Sequence, residues 1–419
     1  MKKIIGLAIA AAFGLSACSN LDHKTAHEIM SISNDRILKE DHSFNITGSS
    51  RVYISPLAEA ILADEKVEEK EKTEDDKAKS EDAMAKAEDA AASMEATQEE
   101  DDPLKQEFSE QEEAEFRNAM LDALPDGNIA QVAVDYLDKY PAISSYMEGV
   151  HLNYEVAVDL STRQFEMIPE LAIDNHNEKL SVKLPMKLDA AKWEVYVDPP
   201  ASVSAIVNAY TDEKIGKRLI KEPLKLSLKE IGDSKGVPFD HIAEAGVRAF
   251  LSANKAMPAN AYVFKEMDAF GKANHARYRV RHVMKPEYDS VVMKAVAKAF
   301  DEELSKLQKT PQSGSTEEDY KNAREFFSMF VSISDNRPLS FQRIFGNNPV
   351  VDYYLDRKGR MLASRMYMQI NGTHKAINII GDSVYSNYGK PVFKLNPQGK
   401  GITWRELKES FDSDKKQED

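Results

Sequence analysis

The sequence predicts an α+β fold: a mostly antiparallel sheet of amphipathic strands packed with several helices. Three observations carry that expectation. Apolar and polar residues alternate at period two in several segments, helical periodicity recurs between them, and Gly, Pro, Asn, Asp and Ser gather at the joins. The 419 residues are 42% hydrophobic and 8% aromatic, enough to fill a sizeable core, so the chain is not wholly disordered. Its 55 basic and 70 acidic side chains give a net charge of −15. That balance argues against a nucleic-acid partner, or an anionic membrane met through a general basic surface. A single cysteine, Cys18, excludes an internal disulfide, a zinc–thiolate cluster and a thiol relay.

The first element is an export signal, residues 1–17. Lys2 and Lys3 form its positive start, and the apolar run from Ile4 to Leu15 is too short for the ~20 residues of a membrane-spanning helix. Leu15-Ser16-Ala17-Cys18 resembles the lipobox of bacterial lipoprotein precursors. The resemblance implies that Cys18 is lipidated on sulfur and becomes the first mature residue, with a diacylglyceryl thioether and an acylated amino terminus. Two or more chains hold a protein stably, since each buried methylene is worth ~0.8 kcal/mol. Ser19 follows where members retained in the inner membrane carry Asp, so the resemblance points to the outer membrane. No later stretch approaches 18 apolar residues.

Residues 18–63 are the anchor-proximal segment. Phe44, Ile46, Val52, Ile54, Leu57, Ile61 and Leu62 are too apolar to leave wet, so residues 44–62 are expected to pair with the later body. The acidic low-complexity segment, 64–108, is then a surface excursion within one fold. Its core, 64–102, holds seventeen acidic side chains and six lysines, with Val67 and two methionines as its only large apolar residues. It cannot bury a core, and i,i+4 pairs such as Glu68 with Lys72 support transient helix at most.

The body runs from 109 to 412, before a charged tail at 413–419. Phe116, Met120, Leu121 and Leu124 predict one helix, and Ile129 to Leu137 a second, ended by Pro141. Leu152, Tyr154, Val156, Val158 and Leu160 alternate with Asn153, Glu155 and Asp159 in the clearest strand of the chain. Phe165 to Ile173 return as its partner, with Pro169 marking a bulge or edge. Leu180 to Leu188 and then Trp193, Val195 and Val197 extend an antiparallel sheet with one dry face, and Leu224 to Leu228 add a strand. A helix after Pro238 carries Ile242, Val247 and Phe250. A strand pair follows at 261–284, then a helix at 287–308. The loop Lys309–Thr316 is the one candidate division of the body, and a helix with Tyr320, Phe327 and Phe330 follows it. Val351 to Leu355 turn through Asp356-Arg357-Lys358-Gly359 into Leu362 to Ile370, and short strands are expected at 375–380 and 391–395.

Each candidate for chemistry has a bland reading beside it. Ser234 sits in a G-x-S-x-G match, but the strand before it alternates and Pro238 precedes the next helix, so a polar turn is expected. Gly381-Asp382-Ser383 resembles the opening block of the Gly-Asp-Ser hydrolases, yet no histidine follows Ser383, so it too is read as a turn. His23 and His27 have helical metal-ligand spacing without the remaining ligands, and a hydrated tether is expected there. No catalytic, cofactor or metal residue is assigned. Arg277, Arg279 and Arg281, with His282, form a basic strand face that could contact an anion; the competing expectation is a solvated outer face. Met361, Met366 and Met368 cluster with Tyr353, Tyr354 and Tyr367, as adaptable core or as the wall of an amphiphile pocket.

The resulting expectation is a lipid-anchored envelope lipoprotein of the outer membrane, held at Cys18 and acting as a non-catalytic binding or structural module. Its partners would be the membrane, through the anchor, and an envelope protein, cell-wall polymer or lipid, with no nucleic acid. An amphiphile carrier resembling the unclosed-barrel lipoprotein carriers is the second reading, with Leu184 and Val195 facing its cavity. A serine hydrolase is the third.

Overall fold

The computed structural model describes residues 21–56, 129–174, 179–210, 213–229, 236–336, 349–397 and 401–414. Cys18, the acidic run, the expected 109–124 helix and Ser234 lie outside these residues.

A single sheet of thirteen strands organises the described chain. Its strands are β1 (Ser43–Pro56), β2 (Val150–Asp159), β3 (Gln164–Asp174), β4 (Lys179–Lys183), β5 (Met186–Asp189), β6 (Glu194–Val197) and β7 (Leu224–Ser227). They continue with β8 (Tyr262–Lys265), β9 (Tyr278–Val283), β10 (Val350–Leu355), β11 (Met361–Asn371), β12 (Lys375–Ser386) and β13 (Ile402–Thr403). The order is β13-β7-β6-β5-β3-β2-β1-β12-β11-β10-β9-β8, with β4 paired to β3. Every pair is antiparallel except β13 with β7, so the fold is α+β as the alternation predicts.

The apolar residues of 44–54 do pair with the later body: β1 lies at the centre, between β2 and β12. Gly48 is required there. A Cβ at this position would meet the Tyr154 ring at 2.1 Å, because that ring crosses β1 to bring its hydroxyl 2.6 Å from Ser383 Oγ on β12. Pro169 marks the point where the outer partner of β3 changes: Glu170 pairs with Lys183 of β4, and Met167 with Met186 of β5. The expected continuous strand 180–188 is therefore broken at Leu184-Pro185, since Pro185 has no amide to give a ladder.

Helix α1 (Ala26–Lys39) begins with a capping box. Thr25 Oγ1 accepts from the Glu28 amide at 3.2 Å and the Glu28 carboxylate accepts from the Thr25 amide at 2.8 Å, which holds the Glu28 carboxyl below its ordinary pKa. Ile29 and Met30 then bury against Tyr262, Val280, Leu355 and Met361. The hydrated tether expected at His23 and His27 is thus overturned. Leu21 is itself core, and His27 Nε2 bonds Met257 O at 2.9 Å.

The other helices are α2 (Ile129–Lys139), α3 (Pro141–Glu148), α4 (Ala201–Tyr210), α5 (Glu213–Leu219), α6 (Phe239–Ala256), α7 (Ala269–Ala273), α8 (Pro286–Leu307), α9 (Glu317–Asn336) and α10 (Trp404–Asp414). Helices α6, α8 and α9 share one cluster of Ala245, Ala249, Phe300, Leu304 and Tyr320. The buried stripe of α6 is Ala245, Ala249 and Ala253, with Ile242 packed against the same cluster, whereas Val247 and Phe250 are exposed. Small side chains let α8 approach closely, and Val247 and Phe250 point away. The Lys309–Thr316 loop is bound into the same unit, because the Gln312 amide donates to Tyr320 Oη at 2.9 Å and Gln312 Nε2 to Asp240 at 3.2 Å. Asp240 also accepts from Arg163 at 2.8 Å and Trp193 Nε1 at 3.3 Å, joining the start of α6 to two strand turns.

Two further expectations are corrected. Gly381-Asp382-Ser383 is no turn but the middle of β12, where Asp382 pairs across the ladder with Arg365 at 2.6 Å. Residues 391–395 form no strand. They run as an irregular segment pinned by side chains, with the Val392 amide on Asn45 Oδ1 at 2.8 Å and the Lys394 and Leu395 amides on Glu166 at 2.8 and 2.6 Å.

Candidate functional site

Directly paired residues in an antiparallel ladder point to the same side of the sheet, so register alone sorts the two faces. One row reads Leu226, Val195, Leu188, Phe165, Val158 and Phe44 across β7, β6, β5, β3, β2 and β1. The next row on that side reads Leu224, Val197, Met186, Met167, Val156 and Ile46. Shifting each strand by one residue gives the opposite face, Lys225, Tyr196, Lys187, Glu166, Ala157 and Asn45. The sheet is therefore apolar on one side and polar on the other.

The polar side is the better covered in this half. Glu166, Lys187, Asp189 and Tyr196 are all buried, and the 391–395 segment crosses them, with Phe393 lying 4.6 Å from the Lys187 ammonium. On the apolar side, Leu152, Met167, Leu171, Leu180, Val182 and Leu184 are 36–57% exposed. Val182, Leu171 and Leu152 sit opposite one another on β4, β3 and β2, so these exposed side chains are contiguous and not scattered. The expected dry face is not formed here, and β4 is exposed on both sides. A contiguous exposed apolar surface of this kind marks an interaction site. Leu184 stands at its rim and Val195 is half-buried on the same side.

The polar side also carries a groove of about 460 Å³ lined by Thr47, Ser49, Asn153, Glu170, Lys183 and Asp382. Its charges are already matched. Glu170 accepts from the Ser181 hydroxyl and lies 3.5 Å from Lys183, and both interactions hold its carboxyl below the ordinary range.

In the other half of the sheet β9 and β10 are buried, while the edge strand β8 is exposed at Val263 and Phe264. The three arginines singled out by sequence separate here. Arg277 precedes β9 and is exposed, whereas Arg279 and Arg281 are each 7% exposed, which overturns the solvated outer face. Asp352 on β10 is fully buried and receives Arg279 at 2.6 and 3.0 Å and Arg281 at 2.7 Å through two nitrogens. Asp268 adds a contact to Arg279 at 3.3 Å and accepts from the Tyr354 hydroxyl at 2.6 Å. Burial opposes the charge on Arg279 and Arg281, but the Asp352 carboxylate more than offsets it, so both lie above the ordinary arginine pKa. Helix α7 roofs the network, and Phe270 stacks on Arg365 at 4.3 Å. With each guanidinium held by carboxylates, Arg279 and Arg281 are structural. The missed partner is Asp352, and its signal in the sequence is a lone acid inside the apolar run Val350 to Leu355.

The remaining candidates divide cleanly. Ser383 Oγ pairs with a phenol, not an imidazole. His282 is buried against the Tyr262 and Tyr288 rings, and burial depresses its pKa to about 4, so it is neutral at pH 7. Among the described residues, no three of His, Cys, Asp and Glu gather as a metal site. Met366, Met368 and Tyr353 lie on the apolar side, Tyr354 and Tyr367 on the polar side, and Met361 is core. No helix among the described residues is long and apolar enough to cross a membrane. No family model, curated protein or solved structure matches the chain.

Proposed function

We propose that the chain is a lipid-anchored lipoprotein of the bacterial outer membrane, and that its body is a non-catalytic module binding an amphiphile's acyl chain. The observation that carries the binding role is the contiguous apolar surface of β2, β3 and β4, on a sheet whose covered polar residues are Glu166, Lys187 and Tyr196 of β3, β5 and β6. Acyl chains need apolar area and no directed polar partners, which matches a surface of leucine, valine and methionine. The lipobox at Leu15–Cys18 supports the anchor, and would set that surface among membrane lipids and their precursors.

Native mass spectrometry of the chain from Ser19, exported without Cys18 and purified without detergent, tests the binding role. The expected spectrum carries a lipid-mass adduct that Leu171→Asp removes. A bare mass from the unsubstituted chain would reject the amphiphile. The anchor is tested separately by Cys18→Ala, which is expected to abolish incorporation of labelled fatty acid.

A further inference from the structure

A second surface lies at the other end of the molecule, where three chain segments converge. The end of α1 brings Arg36, the loop before β9 brings His275 and Arg277, and the β10–β11 hairpin brings Arg357, Lys358 and Arg360. Between them is an open cleft of about 790 Å³. Glu40 and Asp356 are the carboxylates in its wall, against five permanent cations. On a chain with net charge −15, a local excess of cations runs against the overall field.

The cations are not equivalent. Arg36 and Arg360 both reach Asp41, at 3.0 and 2.8 Å, and Arg36 also reaches Glu40 at 2.6 Å, so this pair forms the floor. Arg277 is half-exposed and touches Asp22 at 3.4 Å. Arg357 and Lys358 stand exposed at the hairpin tip. Their neighbour Asp356 is engaged with the backbone amides of Lys358 at 2.7 Å and Arg360 at 2.9 Å, and Gly359 at φ +77 holds the turn that presents them. Two exposed cations beside two arginines held by Asp41 form a receptor for an oxyanion.

The position of the cleft selects which oxyanion. Its rim residue Arg277 and the neighbouring Tyr278 both contact Asp22, the latter at 2.6 Å, and Asp22 follows Cys18 by four positions. Four residues of chain reach at most about 14 Å. Leu21 is buried in the body, so no long tether separates the body from an anchor at Cys18. We infer that this cleft is the membrane-facing surface of the protein and takes the phosphate of an anionic phospholipid headgroup. The inference rests on the anchor reading above and is independent of the acyl-chain surface on β2, β3 and β4.

The test reconstitutes the lipidated mature protein into vesicles of phosphatidylglycerol or phosphatidylcholine and follows backbone hydrogen exchange. The amides of 275–278 and 357–360 are expected to exchange more slowly in phosphatidylglycerol, and Arg357→Ala and Lys358→Ala to lose about fivefold of that protection each. Lys358→Arg is expected to retain it, and unchanged thermal unfolding of these surface variants shows that the fold is intact. Equal exchange in both lipids overturns the inference, as does slowing that inorganic phosphate reproduces in phosphatidylcholine. If labelled fatty acid is not incorporated at all, the anchor reading has failed; if it is incorporated and exchange is blind to the lipid, only the cleft has.

Discussion

The two halves of the sheet use the same alternating sequence pattern to opposite ends. From β9 to β11 the residues around the network are covered, and the polar alternates form a buried cluster in which Arg279, Arg281 and Arg365 face Asp268, Asp352 and Asp382. In β3, β5 and β6 the polar alternates Glu166, Lys187 and Tyr196 are again buried, under an irregular segment, while Leu152, Met167 and Leu171 are left half-exposed and β4 is exposed on both sides. The difference teaches that alternation defines two faces but does not say which will be dry. What lies across a face decides that, and a covering segment can be held by a few side chains, here Asn45, Glu155 and Glu166.

Breaking the ionic half should have the largest effect. Asp352→Asn removes the carboxylate that the two buried guanidinium groups share, leaving Arg279 its 3.3 Å contact with Asp268, and is expected to cost about 3–5 kcal/mol in urea unfolding. A change below about 1 kcal/mol would show that Asp352 is not the centre of that half. The next effect belongs to His282. Its folded pKa is about 4 against an ordinary 6.5, so the unfolded chain binds more protons between those values. This contribution is whole above about pH 6.5 and is lost as pH falls toward 4, by about 3 kcal/mol in total. His282→Phe should flatten that part of the stability profile.

In the other half, Glu166→Ala removes the acceptor of the Lys394 and Leu395 amides and is expected to cost about 1–3 kcal/mol while freeing the segment to proteolysis. The smallest effect sharpens the comparison most. Leu171→Asp lies on the exposed apolar surface and should change stability by no more than about 0.5 kcal/mol. If it unfolds the protein instead, that face is core and the two halves are alike.

Much of the sheet was legible because strands are local patterns. The alternation from Leu152 to Leu160 becomes β2, and the turn at Asp356 to Gly359 becomes the β10–β11 hairpin. What stayed hidden was non-local. Helix α4 follows Pro200 as an Ala- and Val-rich run without an amphipathic stripe, and β13 is a two-residue bridge whose parallel partner β7 lies far away in sequence. The candidate surfaces were half legible. Arg277 was identified as an anion contact, but its neighbours in the cleft come from the C-terminal end of α1 and a hairpin about 80 residues beyond it. The apolar residues of β2, β3 and β4 were all identified as strand residues, and only tertiary cover distinguishes a surface from a core.

The central place of β1 has a consequence for how the molecule is made. Its Asn45 is joined to Val392, 347 positions later, and its whole second edge waits for β12. A chain that emerges N-terminus first presents β1 long before that partner exists. Its relative contact order is correspondingly high, and closure is slow once synthesis ends. Until then an apolar strand edge is open to mispairing with other chains.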